Sequence, residues 1–193
     1  MTPSPQHHHP KWASAEWRLL LLWRLGPPLG LPIACAACGA CQDAYGDHAL
    51  SCPAMGMYKR HNSIRDAFVN LATSAGLQCR TSVGLPGTNL VPADLYLPAF
   101  SDVPTAVDVS VVHPLHPSRS AKAETAGASA EGRAEEKVRL YGEQCRERRW
   151  DFWAAVAETT GTWRSLGQRL VRQLARKRAL KTGEALRERM YGL

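Results

Sequence analysis

Between positions 35 and 52 the chain reads Cys35-x2-Cys38-x9-His48-x3-Cys52, and this spacing constrains it more than any other feature. Two thiolates from one turn meet a second Cys/His pair, and four soft or borderline ligands close a tetrahedron with no open position. That is the form of a structural zinc site, which contributes folding energy rather than chemistry. Cys41 follows Cys38 at the same spacing as Cys38 follows Cys35, so it is an alternative ligand. Asp43 and Asp47 lie between the pairs and are expected to shape the turn. The other reading is a set of free or core cysteines. The eight ligands of a RING module are not offered here. A disulfide framework fits less well than metal, because the longest apolar run near the N-terminus, Leu19 to Trp23, sits between Arg18 and Arg24. It is too short for a signal-peptide core or a bilayer span, so a chain that is neither secreted nor membrane-embedded is expected.

Around the cluster the pattern is globular, with 45% hydrophobic and 21% charged residues in 193. Residues 1–11, rich in Pro and carrying His7, His8 and His9, read as a tail. A short helix is expected over Ala13–Leu25, stopped by Gly26-Pro27-Pro28. A second spans Arg60–Ala75, with Ile64, Phe68, Leu71 and Ala75 on one face and Gly76 as its stop. Strands are expected over Leu77–Val83, Leu90–Leu97 and Thr105–Val112. Residues 113–130 read as a loop running into a helix that continues over Glu131–Arg148 and buries Ala134, Val138, Tyr141 and Cys145. An apolar strand over Trp150–Ala157 and a long basic helix over Trp163–Met190 complete the order. This is an α/β class of chain without internal repeats.

Two strands carry one aspartate each in apolar surroundings, VPADLYL and AVDVSVV. In a hairpin centred on Ser101, Asp94 falls opposite Asp108. Directly opposed residues have Cβ atoms roughly 4.5–5.5 Å apart, and two carboxylates so placed destabilise a sheet unless a cation lies between them. Such a pair suits Mg²⁺, which takes one or two carboxylates and completes its octahedron with water and phosphate. Alternation puts Ser110 on the Asp108 face and Val107, Val109 and Val111 on the other. The alternative is that the aspartates sit at exposed strand ends. Lys137 could complete the site, orienting water or neutralising developing charge; the alternative is a solvated helix residue. His61 reads as a capping or packing histidine more readily than as a catalytic one.

The chain's net charge is +7, and from Trp163 onward nine Lys or Arg face two acids, so the whole excess lies there. Arg164, Arg169, Arg172, Arg176, Lys177, Arg178 and Lys181 would line one side of an amphipathic helix that buries Leu166, Leu170, Leu174 and Leu180. A polyanion is the expected partner of that side; a merely solvated face is the alternative.

Taken together, CAACGACQDAYGDHALSC, RHNSIRD, VPADLYLP, AVDVSVVHPL, EEKVRLY and FWAAVAETTG resemble the restriction-like endonuclease region at the C-terminus of site-specific non-LTR retrotransposon polyproteins. Order and spacing agree across roughly residues 30–162. The resemblance implies a PD-(D/E)xK-type nuclease core with a zinc knuckle that helps hold DNA. It implies Asp94 and Asp108 as the acidic catalytic residues, Lys137 as the displaced lysine, and Tyr141 one turn on. It implies Cys35, Cys38, His48 and Cys52 as knuckle ligands, leaving Cys41 spare, and Arg60, His61 and Asn62 as the Arg-His-Asn motif. This chain departs from the pattern where Ala93 separates Pro92 from Asp94, where Val91 replaces a basic residue, and where Ser110 stands in place of a third acid. The reverse transcriptase that precedes the domain in that family is absent, which suggests a truncated element, a domesticated gene or a decaying copy.

The expectation is therefore an α/β restriction-endonuclease-like core, of helix, three strands, helix and strand, with an N-terminal zinc knuckle and a C-terminal basic helix. Its parts are a tail and short helix over 1–29, the knuckle over 30–59, the nuclease domain over 60–162 and the basic helix over 163–193. The expected function is Mg²⁺-dependent nicking of a DNA phosphodiester, with Zn²⁺ structural and Mg²⁺ catalytic. Asp94 and Asp108 would hold Mg²⁺. Arg60, His61, Asn62, Arg169, Arg172, Arg176, Lys177 and Arg178 would contact DNA. RNA is the alternative polyanion, and no membrane is expected. The rival reading is a zinc-stabilised nucleic-acid-binding module with a decayed catalytic centre, or a transposon remnant. The resemblance and the basic tail imply a nuclear location, with the cytoplasm as the alternative.

Overall fold

Four extended segments build a mixed four-stranded sheet in the order β1-β2-β3-β4: β1 (Arg80–Val83), β2 (Ala93–Leu97), β3 (Thr105–Val112) and β4 (Asp151–Glu158). The structure is a computed structural model that describes residues 13–116 and 125–183. The tail with its three histidines and the end of the basic segment lie outside the described residues. Among these residues there are five α-helices: α1 (Ser14–Leu25), α2 (Asp47–Ser51), α3 (Met57–Ser74), α4 (Ala128–Glu147) and α5 (Ser165–Thr182). No helix among them is long and apolar enough to cross a membrane. The chain divides into two compact units, one ending at Ala49 and one starting at Leu50.

In the second unit, β1, β2 and β3 run antiparallel in sequence, and β4 joins β3 in parallel after the α4 crossover. The parallel β3–β4 pair is the most buried part of the sheet, in keeping with its near-continuous Val/Ala composition, although β4 ends the strand order. One face of the sheet presents Leu95, Leu97, Val107, Val109, Trp153 and Ala155 to Phe68 and Ala72 of α3 and to Leu170 and Leu174 of α5. The other presents Ala106, Val112, Ala154 and Val156 to Ala130, Ala134 and Cys145 of α4. The expected strand Thr105–Val112 is β3 without change. The first two strands start later than expected, at Arg80 and Ala93, since the residues before them run in loops. β1 is a short, exposed edge, and its Ser82 has a positive φ of 53.

Two expected core positions are corrected. Val138 is 46% exposed and Leu180 is 83% exposed. On α4 the sheet-facing stripe runs Ala130, Ala134, Lys137, Tyr141, Cys145, a helical repeat that leaves Val138 one position out of phase. On α5 it runs Gly167, Leu170 and Leu174 and continues through Lys177, whose ammonium lies 5.7 Å from the Phe100 ring centre. Leu180 falls outside it. Gly167 is required because its Cα meets Trp163: an added Cβ would approach that ring to 2.6 Å.

The first unit is built from local turns. None of the residues of α1 is buried, and Gly26 ends the helix in the left-handed region at φ 84. A tight loop then returns on itself: the N–H of Cys35 donates to the Ala40 carbonyl at 2.8 Å, and that of Gly39 donates to the Cys35 carbonyl at 2.8 Å. Ala34 bridges Cys41 across it. α2 starts within this unit at Asp47; the 3-10 turn over Pro53–Met55 and α3 belong to the second.

Candidate functional site

Cys35, Cys38, His48 and Cys52 converge, each offering one ligand atom, with all four atoms within 4.8 Å of one another. Cys38 Sγ lies 3.3 Å from His48 Nε2. Cys35 and Cys52 are buried. The backbone N–H of Ala37 is the main influence that draws the Cys35 thiol down to about 6; burial opposes it, and the Cys38 N–H, His48 and Cys38 add to it. A thiol so tuned is available as the thiolate that metals bind. Asp43 holds the second ligand pair in place. Its Oδ1 accepts from the N–H groups of Tyr45 (2.8 Å) and Asp47 (3.0 Å), and its Oδ2 from that of His48 (2.6 Å). Burial would raise its pKa, but these donors together lower it. Cys41 is exposed, and its thiol donates to the Gln42 carbonyl at 3.7 Å. Three sulfurs and one imidazole at this separation form a cluster that can hold a metal such as zinc. Among the described residues no other group of three or more such side chains forms.

The acidic pair is built differently, from four segments far apart in sequence. Leu95 pairs with Val107, Tyr96 with Ala106 and Leu97 with Thr105, and Asp94 and Asp108 are the next residue on each strand, just beyond the last pair. Neither aspartate is at an exposed strand end: Asp108 is 4% exposed and Asp94 is half-buried. Each carboxylate has its own basic partner from the protein. Lys137 Nζ lies 2.7 Å from Asp108 Oδ2, and His61 Nε2 lies 3.2 Å from Asp94 Oδ2. The Val109 N–H also donates to Asp94 Oδ2 at 2.7 Å, and the Ser110 hydroxyl donates to Asp108 Oδ1 at 3.0 Å. The like-charge opposition expected from the hairpin is thus relieved by a lysine and a histidine.

The two carboxyls are pushed in opposite directions. For Asp94, burial raises the pKa, but the His61 hydrogen bond, the Val109 N–H and the charges of His61 and Lys137 outweigh it and leave the group below its ordinary value. For Asp108, burial dominates and the Asp94 charge adds to it, so the pKa rises despite Lys137 and Ser110. His61 is raised by its bond to Asp94, against burial, with help from Asn62 Oδ1 at 3.2 Å from its Nδ1. Paired groups driven apart in this way characterise sites of acid–base and metal chemistry, and also structural ion pairs.

Lys137 is not a solvated helix residue. Its side chain is 15% exposed and stands 5.4 Å from the Tyr141 ring centre, and Tyr141 packs edge-on against Phe152. Two hard carboxylate oxygens opposed across a strand pair are a donor set that suits Mg²⁺.

The Arg-His-Asn segment separates into three environments. His61 joins the acidic pair. Asn62 is exposed. Arg60 is half-buried and donates to the Leu50 carbonyl. The sequence reading counted His61 among the DNA contacts; in the structure it meets Asp94 across 33 positions, a separation that no periodicity reports. On α5, Arg169 stacks over the Trp153 ring at 5.2 Å, while Arg172, Arg176 and Arg178 are exposed. Arg164 is paired with Glu131. No protein-family model matches this chain, and no curated protein matches it.

Proposed function

We propose that this chain is a metal-dependent DNA endonuclease with a restriction-endonuclease-like core, a structural zinc knuckle and a DNA-facing α5. The observation that carries the reading is Lys137. A lysine occupies a sheet-facing position of α4, bonded to buried Asp108, while Val138 beside it faces solvent. Burying a charge pair where an aliphatic residue would fit is a poor source of stability, and that favours a functional role for the pair. Its neighbours, opposed Asp94 and Asp108, supply the acidic pair that the family resemblance assigns to catalysis.

In this reading Asp94 and Asp108 hold Mg²⁺, which when bound polarises the phosphate and lowers the pKa of water. Lys137 places a positive charge beside the phosphodiester, where negative charge develops. His61 keeps Asp94 ionised and oriented. Cys35, Cys38, His48 and Cys52 hold Zn²⁺ as a closed structural site. Arg172, Arg176 and Arg178 offer exposed charge to the phosphates, while Arg169 and Lys177 are engaged over aromatic rings.

The test is nicking of supercoiled plasmid by purified protein with Mg²⁺, Mn²⁺ or no added divalent ion. Asp94→Asn and Asp108→Asn should each remove at least ~100-fold of the activity while DNA binding persists. Wild-type protein that binds DNA and never nicks it with either metal would sink the enzyme reading. The binding-module reading would then stand, favoured by Ser110 in place of an acid and by the mutual neutralisation of Lys137 and Asp108. For the basic helix, each phosphate contact contributes about 0.9 to the slope of log affinity against log salt. Converting Arg172, Arg176 and Arg178 to Gln should flatten that slope, and an unchanged slope removes α5 from the DNA interface.

A further inference from the structure

The loop between β1 and β2, residues 84–92, is fastened more firmly than a hairpin connection needs. The Leu85 N–H donates to the Leu90 carbonyl at 2.8 Å and closes it. Inside, the Thr88 N–H and hydroxyl donate to the Leu85 carbonyl at 3.1 and 2.9 Å. The same hydroxyl accepts from the Leu90 N–H at 3.1 Å. From the end of α4, Arg148 Nε donates to the Pro86 carbonyl at 2.8 Å. Leu85 is buried in a cluster against which Leu90 and Tyr141 also pack. That cluster sets the loop beside the acidic pair. The Tyr141 ring centre lies 5.4 Å from the Lys137 ammonium, which holds Asp108, and Asp94 follows the loop by two positions. His61 thus reaches the pair from α3, while the loop flanks it on the α4 face of the sheet.

Composition limits what the loop can do there. GLPGTNLVP carries no charge, so it cannot grip phosphates as Lys or Arg would. Phosphate contacts position a duplex, whereas hydrogen bonds to base edges read it. Of the two polar side chains, the Thr88 hydroxyl is taken up by the loop itself. The Asn89 amide is exposed at the tip with Pro86 and Gly87, and it makes no hydrogen bond among the described residues. The major groove admits a two-stranded ribbon, and an Asn amide there pairs bidentately with adenine N6 and N7. We propose that the β1–β2 loop enters the major groove beside the scissile phosphodiester, and that Asn89 selects an adenine there. The target's identity as DNA rests on the nuclease reading; the role of the loop rests on its fastening, its place and its one unengaged amide. Fastening matters because a reading group discriminates only when it cannot shift to suit a wrong base. Arg148 acts as a positioning residue through the Pro86 carbonyl.

In the test, nick positions are sequenced from a random-sequence plasmid library treated with the zinc-loaded full chain and Mg²⁺ or Mn²⁺. In parallel, the same protein in magnesium-free buffer selects bound duplexes from a random pool. Adenine should be enriched at one position within half a helical turn of the nick, and at one position of the selected duplexes. Asn89→Ala should lower that enrichment at least ~five-fold, the low end of what one bidentate pair discriminates. Its melting temperature and overall DNA affinity should stay as in the wild type, since the side chain holds nothing in the fold. Arg148→Gln should lower the enrichment in the same direction. Asn70→Ala, at an exposed position of α3, should leave it unchanged. Absence of any base preference, a preference for another base, or one that survives Asn89→Ala overturns the proposal. The two readouts separate this claim from the enzyme reading. An Asn89-dependent adenine in selected duplexes, from protein that never nicks, removes the nuclease and keeps the reading loop. Nicks whose positions ignore Asn89→Ala do the reverse.

Discussion

The Cys/His cluster and the acidic pair are both clusters of ligating side chains, yet they are assembled in opposite ways. The cluster draws all four ligands from positions 35–52 and orients them with backbone turns and the Asp43 carboxylate. The acidic site draws His61, Asp94, Asp108 and Lys137 from two helices and two strands, and holds them by packing on a buried sheet. A local site stands or falls with its own ligands. A site spread over the fold shares its energetics with the core, so removing one member leaves another buried and unpaired.

The largest effect should come from the local site. Cys52→Ser or Cys35→Ser should abolish stoichiometric zinc, read by elemental analysis, and unfold the segment around it, because metal affinity there is folding energy. Cys41→Ser should leave zinc content unchanged. Equal zinc loss from Cys41→Ser would show that the ligand set is not the one drawn by the geometry.

In the distributed site, Lys137→Met should cost about 3–5 kcal/mol in denaturant unfolding, since it strands a buried Asp108 carboxylate. Adding Asp108→Asn should recover most of that loss. This sharpens the contrast, because no second substitution should restore zinc to a cluster lacking Cys52. If Lys137→Met is neutral, the pair is not buried as a unit and the distributed description fails.

The smallest effect is a pH dependence confined to the acidic site. His61 is raised above its ordinary 6.5, so its bond to Asp94 stabilises the fold fully below that value and fades as pH rises through the raised one. Asp94 is lowered from 3.8, so its contribution is present above that value and is lost as pH falls through the lowered one. Asp108 runs the other way: its contribution declines as pH climbs from 3.8 through its raised value. NMR titration of the His61 ring should show Asp94→Asn returning it toward 6.5. A His61 titration indifferent to Asp94→Asn would dissolve the pair.

Much of this was legible in the residues themselves. The cysteine spacing narrowed the ligands to Cys35, Cys38, Cys41, His48 and Cys52, and the folded turn set Cys41 aside. Counting outward from Ser101 placed Asp94 opposite Asp108, because the strands that follow a hairpin keep a fixed register and a two-residue side-chain period. Apolar alternation located β3 to the residue. These are properties of covalent spacing and local periodicity, which a sequence carries in full.

Tertiary structure decided the phase of each helix and the partners across long separations. Val138 and Leu180 look like core residues by type, but the stripe that meets the sheet is set by where α4 and α5 dock, and both fall outside it. The same docking turned Lys137 inward onto Asp108 and brought the start of α3 to the Asp94 carboxylate. Hydrophobic periodicity fixes a helix face only to within about one residue, roughly 100° of rotation. Here that one residue separates a solvent-facing valine from a buried lysine, and only the packed sheet chooses between them.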